Sequence, residues 1–164
     1  MFSSIKNIFN KDKAEIQLRK EYLGISFRRR DKIDYPLTNA PENCYGYIND
    51  VSLCTFELMS IHENILSIDH FALNSRQIGK KYGELCLRAF AALVNEQNPK
   101  IEVIHFSLYR STSLVKNSEE KLLKLKNARV RLLESISAEE IQVNHPNNYC
   151  YDVTGKWHKS KWLL

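Results

Sequence analysis

The stretch from residue 65 to residue 94 constrains the fold more than any other part of the sequence. It reads ILSIDHFALNSRQIGKKYGELCLRAFAALV: a strand-like apolar run, a loop with two glycines and two adjacent lysines, and a helix-like run. Residues 82–95 are apolar on nearly all sides, which predicts a helix that is buried against a sheet. A strand followed at once by such a helix is typical of a mixed α/β domain.

Three strand-like segments with short connections predict an antiparallel meander before the loop. They are CYGYI, SLCTFELMSI and ILSIDHFAL, and they are separated by Asn-Asp and His-Glu-Asn turns. The middle segment alternates as a two-faced strand does. This alternation places Leu53, Thr55, Glu57 and Met59 on one face, and Cys54, Phe56, Leu58 and Ser60 on the other.

The second half of the chain predicts a strand, a helix and two closing strands. The segments are IEVIHFSLY, NSEEKLLKLKNARVRLLESI, EEIQVNH and NYCYDVTGKW, and Ser118 is the expected N-cap of the helix. The order of elements predicts an α+β (mixed α/β) fold, in which helices flank a central, mostly antiparallel sheet. We expect one domain over residues 21–164, preceded by a basic arm or helix over residues 1–20.

The charge of the chain is concentrated at its start. The net charge is +5, and residues 1–32 hold nine Lys and Arg against four Asp and Glu, so the remaining residues are neutral overall. We interpret this segment as a solvated arm, with attraction of an acidic partner or a nucleic acid as the alternative. The four cysteines form no CxxC pair and are predicted to be core thiols of a cytoplasmic protein. No apolar run approaches the roughly 18 residues that a membrane helix needs.

The glycine loop has the composition of an anion site. A helix N-terminus exposes unpaired backbone N–H groups and a partial positive charge, and glycines allow a phosphate to approach the backbone closely. The sequence GKKYG, residues 79–83, adds two lysines to such a terminus. A plain strand-to-helix turn with surface lysines is the alternative interpretation.

The sequence IDHFALNSRQIGKKYGELCLRAF resembles the acetyl-coenzyme A motif of the GNAT superfamily of N-acetyltransferases. Ile78 occupies the slot where the family usually has Gln or Arg, and Lys81 occupies that of the central glycine. NARVRLLESIS resembles a second family segment, with Leu133 in its Tyr slot and Ser137 in its Gly slot. Only about a dozen residues join the first two strands, where the family has two helices, so the resemblance implies a GNAT-like sheet with a reduced connection.

The resemblance implies an acyltransferase that uses acetyl-CoA as co-substrate and no metal. A backbone N–H near Leu73 would polarise the thioester carbonyl, and the slot of the family's Glu base falls on Ser67, which cannot act as a base. His70 and Tyr109 are therefore the candidate catalytic base and acid, with a sheet histidine and a half-buried aromatic as the alternatives. The implied coenzyme contacts are Phe71, Leu73, Ile78, Gly79, Lys80, Lys81, Tyr82, Gly83 and Asn117.

The expected acceptor is an amine of a small molecule or of a protein, and a homodimer is a further option. We expect neither a membrane nor a nucleic acid as partner, and we interpret Trp157 and Trp162 as rings that dock on the domain. Two alternatives stay open: a catalytically inert GNAT-fold protein that binds a ligand or partner, and an interaction domain with a basic arm.

Overall fold

The structure is a computed structural model that describes residues 22, 24–31, 33–77, 82–111, 119–147 and 150–163. Within these residues, seven strands and two α-helices confirm the predicted mixed fold. The strands are β1 (Ser26–Arg28), β2 (Cys44–Ile48), β3 (Val51–His62), β4 (Ile65–Leu73), β5 (Val103–Ser111), β6 (Glu139–Asn147) and β7 (Cys150–His158). The helices are α1 (Tyr82–Gln97) and α2 (Glu119–Ser135), with short 3₁₀ turns at Ser75–Gln77 and Lys159–Lys161.

All strands form one sheet in the order β1-β2-β3-β4-β5-β7-β6. Every neighbouring pair is antiparallel except β4 and β5, which are parallel and are joined through α1. The meander from β2 to β4 therefore forms as predicted. Its first turn holds Asn49 and Asp50 at φ values of 46° and 62°, the left-handed conformation that two-residue hairpins favour.

The two helices lie on the same face of the sheet. Leu133 of α2 packs on Gly155 of β7, where an added Cβ would lie 3.0 Å from its Cδ1. The guanidinium of Arg88 on α1 lies 6.0 Å from the ring centroid of Trp157, two residues further along β7. Residues two apart on a strand point to the same face, so α1 and α2 cover one side.

Aromatic rings fill the core between α1 and the first half of the sheet. Phe90 of α1 stacks on Phe56 of β3 with ring centroids 4.1 Å apart, and it meets the edge of Phe27 of β1 at 5.6 Å. Nine residues of α1 are buried. Helix α1 is therefore apolar because it packs against the sheet, as the sequence predicted. The four cysteines are buried free thiols, as predicted.

The predicted alternation of β3 is wrong at Leu58. Phe56 and Met59 both pack in the core although they are three residues apart, and Ile68 and Phe71 do the same on β4. A strand can do this only where its pleat is interrupted. The interruption on β3 is Leu58, which has a φ of 52° and is 70% exposed, whereas Phe56, which was predicted to share its face, is buried.

A second interruption lies nearer the start of β3. Leu53 and Cys54 were predicted to face opposite sides, but each is only 1% exposed. The β2–β3 register shifts between Gly46 and Tyr47, so Leu53 is an extra residue on β3 without a paired residue on β2. Such a bulge interrupts the alternation of side chains.

Helix α2 ends in a Schellman motif. The N–H of Ala138 donates to the carbonyl of Leu133, and the N–H of Ser137 donates to that of Glu134, both at 3.0 Å. Ser137 has a φ of 59°, the conformation that glycine adopts most readily. The motif explains why a glycine is usual at this position in the family that the sequence resembles. The predicted cap Ser118 lies outside the described residues.

The C-terminal tryptophans dock on the domain, as predicted. Trp157 and Trp162 are fully buried, and the indole N–H of Trp162 donates to the carbonyl of Trp157 at 2.9 Å. A stacking platform for nucleic acid needs exposed rings, so neither ring serves as one.

Two further features concern the described residues only. No helix among them is both long and apolar enough to cross a membrane. The connection between β1 and β2 contains no helix over residues 29–31 and 33–43, which matches the predicted reduced connection.

Candidate functional site

A gap in the sheet between β4 and β5 is the main candidate site. The two strands pair only from Ile65 to Ile68 and from Val103 to Phe106. Beyond these pairs, β4 stays on β3 as far as Leu73, and β5 stays on β7 as far as Ser111. We call the space between residues 69–73 and residues 107–111 the β4–β5 gap.

Two backbone N–H groups of β4 point into the β4–β5 gap. The N–H of Asn74 donates to the carbonyl of Leu53 at 2.8 Å, so Asn74 faces β3. In an antiparallel pair, consecutive residues direct their N–H groups to opposite sides. Leu73, and with it Phe71, therefore directs its N–H away from β3 and towards the gap. These are two of the residues that the sequence predicted as coenzyme contacts.

His70 lies beside the gap on the sheet face opposite the two helices. Its neighbour Phe71 is buried under the helices, so the imidazole points to the other face. There His70 Nε2 lies 3.6 Å from Glu57 Oε2, and their side chains are 25% and 35% exposed. This distance is an ion pair when the histidine is protonated, and it is too long for a direct hydrogen bond.

Tyr109 lies on β5, across the gap from His70, and on the same face of the sheet as His70. Its neighbour Leu108 is buried, whereas Tyr109 is 49% exposed. Tyr109 pairs directly with Asp152 of β7, and Asp152 accepts a hydrogen bond from the hydroxyl of Ser107 at 3.1 Å. The topology thus places the two predicted catalytic residues on β4 and β5, the two strands that border the gap.

The predicted pyrophosphate loop follows β4 and leads into α1. Of its residues, Tyr82 and Gly83 are described, and Ile78, Gly79, Lys80 and Lys81 lie outside the described residues, as does Asn117. Because α1 follows β4 through this loop, its N-terminus lies at the end of the sheet where the gap opens.

Gly83 has a packing role that the sequence did not indicate. A Cβ on this residue would lie 2.9 Å from Cδ1 of Leu132 on α2, so a side chain there would meet the other helix. We expected it to meet a phosphate instead. The absence of a side chain at Gly83 is therefore explained by helix packing. Its backbone N–H stays a candidate contact for an anion.

Leu133 supplies no proton to the site, because its side chain has no ionisable group, and it is fully buried against Gly155. The buried thiols are also unsuited to nucleophilic catalysis. A hydrogen bond with Cys86 and burial raise the pKa of Cys54, and burial raises the pKa of Cys44. Among the described residues, no group of three or more His, Cys, Asp or Glu side chains is placed to hold a metal ion.

A cavity of about 320 Å³ lies apart from the gap. It is bounded by the loop before β1, by β1 itself, by Asp34 and Tyr35 and by the second half of α1, and none of its lining residues belongs to β4 or β5. It therefore does not form part of the candidate site.

Four residues near the gap were missed as site residues at the sequence level. Glu57 and Asp152 were ordinary strand carboxylates in the sequence, because only the strand order brings them beside His70 and Tyr109. Arg76 is an exposed, positively charged residue just before the loop. Its position two residues from Ile78 could have identified it as a candidate contact for an anion. The alternation of β3 assigned Leu58 only to the same strand face as Phe56.

No protein-family model and no curated protein matches the sequence. Solved structures do match the fold. Variant forms of the spermidine/spermine N-acetyltransferase SpeG from Vibrio cholerae align with a TM-score of 0.50 and 13% identity, over 73% of this chain and 68% of that chain.

Two further solved structures align slightly less well. The ribosomal-protein-S18-alanine N-acetyltransferase from Escherichia coli aligns with a TM-score of 0.48 and 9% identity, over 71% of this chain and 67% of that one. The aminoglycoside acetyltransferase AAC(6')-Ib, in complex with coenzyme A and kanamycin, aligns with a TM-score of 0.48 and 16% identity, over 73% and 67%.

The strand order, the single parallel pair with its gap and the match to the Vibrio cholerae enzyme agree with the resemblance in the glycine loop. At these identities, the likeness is one of fold. The chain therefore has the fold of the GNAT N-acetyltransferases.

Proposed function

We propose that this protein transfers an acetyl group from acetyl-CoA to an amine by direct transfer. The observation that carries the proposal is the β4–β5 gap, into which Phe71 and Leu73 direct their backbone N–H groups. Donors fixed in a strand are suited to stabilise the charge that develops on a thioester oxygen during attack. Acetyl-CoA would supply the activated acyl group.

The loop before α1 is the proposed site for the pyrophosphate. Its residues Ile78, Gly79, Lys80, Lys81, Tyr82 and Gly83 lead into a helix N-terminus, and Arg76 adds a further charge nearby. Asn117 is proposed as an additional contact. The donor set fits a diphosphate, because it combines backbone N–H groups with cationic side chains and needs no metal.

His70 and Tyr109 are proposed to handle the protons. The amine nitrogen forms a bond to the acyl carbon as the bond from that carbon to sulfur breaks. Before the attack, an ammonium acceptor releases one proton to solvent, so that the neutral amine is the nucleophile. His70 takes the second proton, which the nitrogen loses as the amide forms, and Tyr109 donates a proton to the sulfur. Their positions on the two strands that border the gap support this division of roles. Holding the thioester and the amine in one gap replaces a collision by a positioned encounter.

The acceptor is proposed to be a small-molecule amine. Asp69 lies on β4 beside the gap, and Glu57 of β3 and Asp152 of β7 pair with His70 and Tyr109 one strand away, so that three carboxylates favour a cationic ammonium. The Vibrio cholerae enzyme is named for spermidine and spermine, so amines are the first class of acceptor to test.

Calorimetry with acetyl-CoA tests the first half of the proposal. We expect binding to the wild type and at least tenfold weaker binding to the double variant Lys80→Ala/Lys81→Ala, because phosphate loses two charge-assisted contacts. Lys100→Ala is the matched control, since Lys100 is an exposed lysine at the opposite end of β5. Equal binding by the double variant and the control would refute the pyrophosphate site.

Thiol release with a panel of amines tests the second half. We expect release above the rate of acetyl-CoA hydrolysis, and a loss of about a hundredfold in His70→Ala if this residue is the base. Binding of acetyl-CoA without release for any amine would identify an inert coenzyme-binding protein instead.

A further inference from the structure

Leu58 has a backbone conformation that its surroundings do not explain. It lies inside the twelve-residue strand β3 with a φ of 52°, in the left-handed region that is strained for a residue with a side chain. Other non-glycine residues with a positive φ are polar and lie in turns, after α2 or at a register shift. They are Asn49, Asp50, Glu63, Ser137 and Glu140.

Burial does not offset this cost. Leu58 is 70% exposed, the largest exposed fraction among the big apolar residues that the structure describes. A polar residue or a glycine would serve an interrupted pleat better, since glycine adopts this conformation freely and an exposed leucine leaves apolar surface in water. Strained positions of this kind cluster at functional sites.

The strained residue lies next to the proposed acceptor side of the gap. Leu58 lies between two ladder pairs, Glu57 with His70 and Met59 with Ile68, and thus opposite Asp69. Asp69 is the first residue of β4 beyond its pairing with β5. Leu58 is therefore one strand, or about 5 Å, from the gap, and it directly follows the residue that pairs with His70.

We propose that Leu58 is a specificity-determining contact for the acceptor, and that the acceptor is an amine with an apolar chain or ring. This inference rests on the proposed function. The ammonium group would lie among the carboxylates of Glu57 and Asp69 beside His70, and the apolar part would cover Leu58. Covering this side chain removes apolar surface from water, which favours binding of an acceptor with an apolar part.

The test uses acetyl-CoA with a series of alkylamines from ethylamine to hexylamine, and with spermidine as a polar reference. For the wild type, we expect kcat/KM to rise with chain length. In Leu58→Ala and Leu58→Gly, kcat/KM for hexylamine should fall about tenfold, while that for ethylamine should change less than twofold. Leu58→Met restores an apolar side chain and should restore the dependence on chain length. Val143→Ala is the control, since Val143 is an exposed apolar residue on the edge strand β6.

A thermal measurement separates strain from contact. Leu58→Gly should melt about 2 to 4 °C above Leu58→Ala, because only glycine relieves the backbone, whereas both variants should lose the chain-length dependence. An unchanged dependence in both variants, with transfer intact, would overturn this inference alone. The absence of transfer to any amine would overturn the proposed function and the inference with it.

Discussion

Arg88 on α1 donates a hydrogen bond from Nη1 to the backbone carbonyl of Trp162, 74 residues later in the chain, at 3.2 Å. The same nitrogen donates to the carbonyl of Lys161, and Nε donates to Glu84 at 3.0 Å. The arginine is only 6% exposed. It thus fixes the C-terminal segment on the first helix, at the end of the sheet where β4 and β5 are paired and away from the gap.

Replacing Arg88 by Met should lower the free energy of unfolding by about 2 kcal/mol. The buried carbonyl of Trp162 loses its donor, and the carboxylate of Glu84 loses its partner. Urea denaturation followed by tryptophan fluorescence measures the change. Arg131→Met on the exposed face of α2 is the control and should stay within about 0.5 kcal/mol of the wild type. Equal effects of both variants would contradict the anchoring role.

Ser137→Gly should stabilise the protein by about 0.5 to 1 kcal/mol. Ser137 has a φ of 59° in the Schellman motif, and glycine adopts this conformation without the steric cost of a Cβ. Ser135→Gly is the matched comparison, since Ser135 is the last residue of α2. It should destabilise by a similar amount, because glycine disfavours the helix. Chemical denaturation of both variants measures these changes. Destabilisation by Ser137→Gly would refute the assignment of a Schellman motif at the end of α2.

The stability should fall as the pH rises above about 9. The hydrogen bond with Cys86 and burial raise the folded-state pKa of Cys54, and burial raises that of Cys44, whereas the unfolded thiols ionise near their ordinary value of about 8.5. The unfolded state therefore loses protons first, and each thiol removes about 1.4 kcal/mol per pH unit.

Urea denaturation between pH 9 and pH 10 measures this slope, before tyrosine ionisation dominates. Cys44→Ala should make the slope about 1.4 kcal/mol per pH unit shallower than that of the wild type. An identical slope in the variant would show that Cys44 ionises equally in both states.

Deleting residues 1–20 should leave the melting temperature nearly unchanged. These residues lie outside the described residues, and their charge indicates a solvated arm. A deletion that extends to residue 23 is the comparison, since it removes Tyr22, which is 2% exposed. It should lower the melting temperature by roughly 5 °C or more. A loss of several degrees on the shorter deletion would mean that Ile5, Ile8, Phe9 and Ile16 are packed against the domain or a second copy.

Local chemistry made the elements of this fold predictable. The Asn49-Asp50 turn, the apolar sides of α1 and the alternating residues of the outer strands act within a few positions of one another. Their preferences do not depend on the rest of the chain. The glycine loop likewise indicated the GNAT-like fold through adjacent residues. For these reasons the mixed fold and the meander followed from the sequence, whereas the coenzyme loop stays a prediction.

Long-range packing decided the site. The insertion of β7 between β5 and β6, the end of the β4–β5 pairing at Ile68 and the exposure of Leu58 depend on strands that are far apart in the chain. Alternation along a strand does not reveal the position at which a pleat is interrupted, so Leu58 was placed on the same face as Phe56. Only the tertiary structure brings His70, Glu57 and Tyr109 around one gap, because pairing between distant strands fixes their faces.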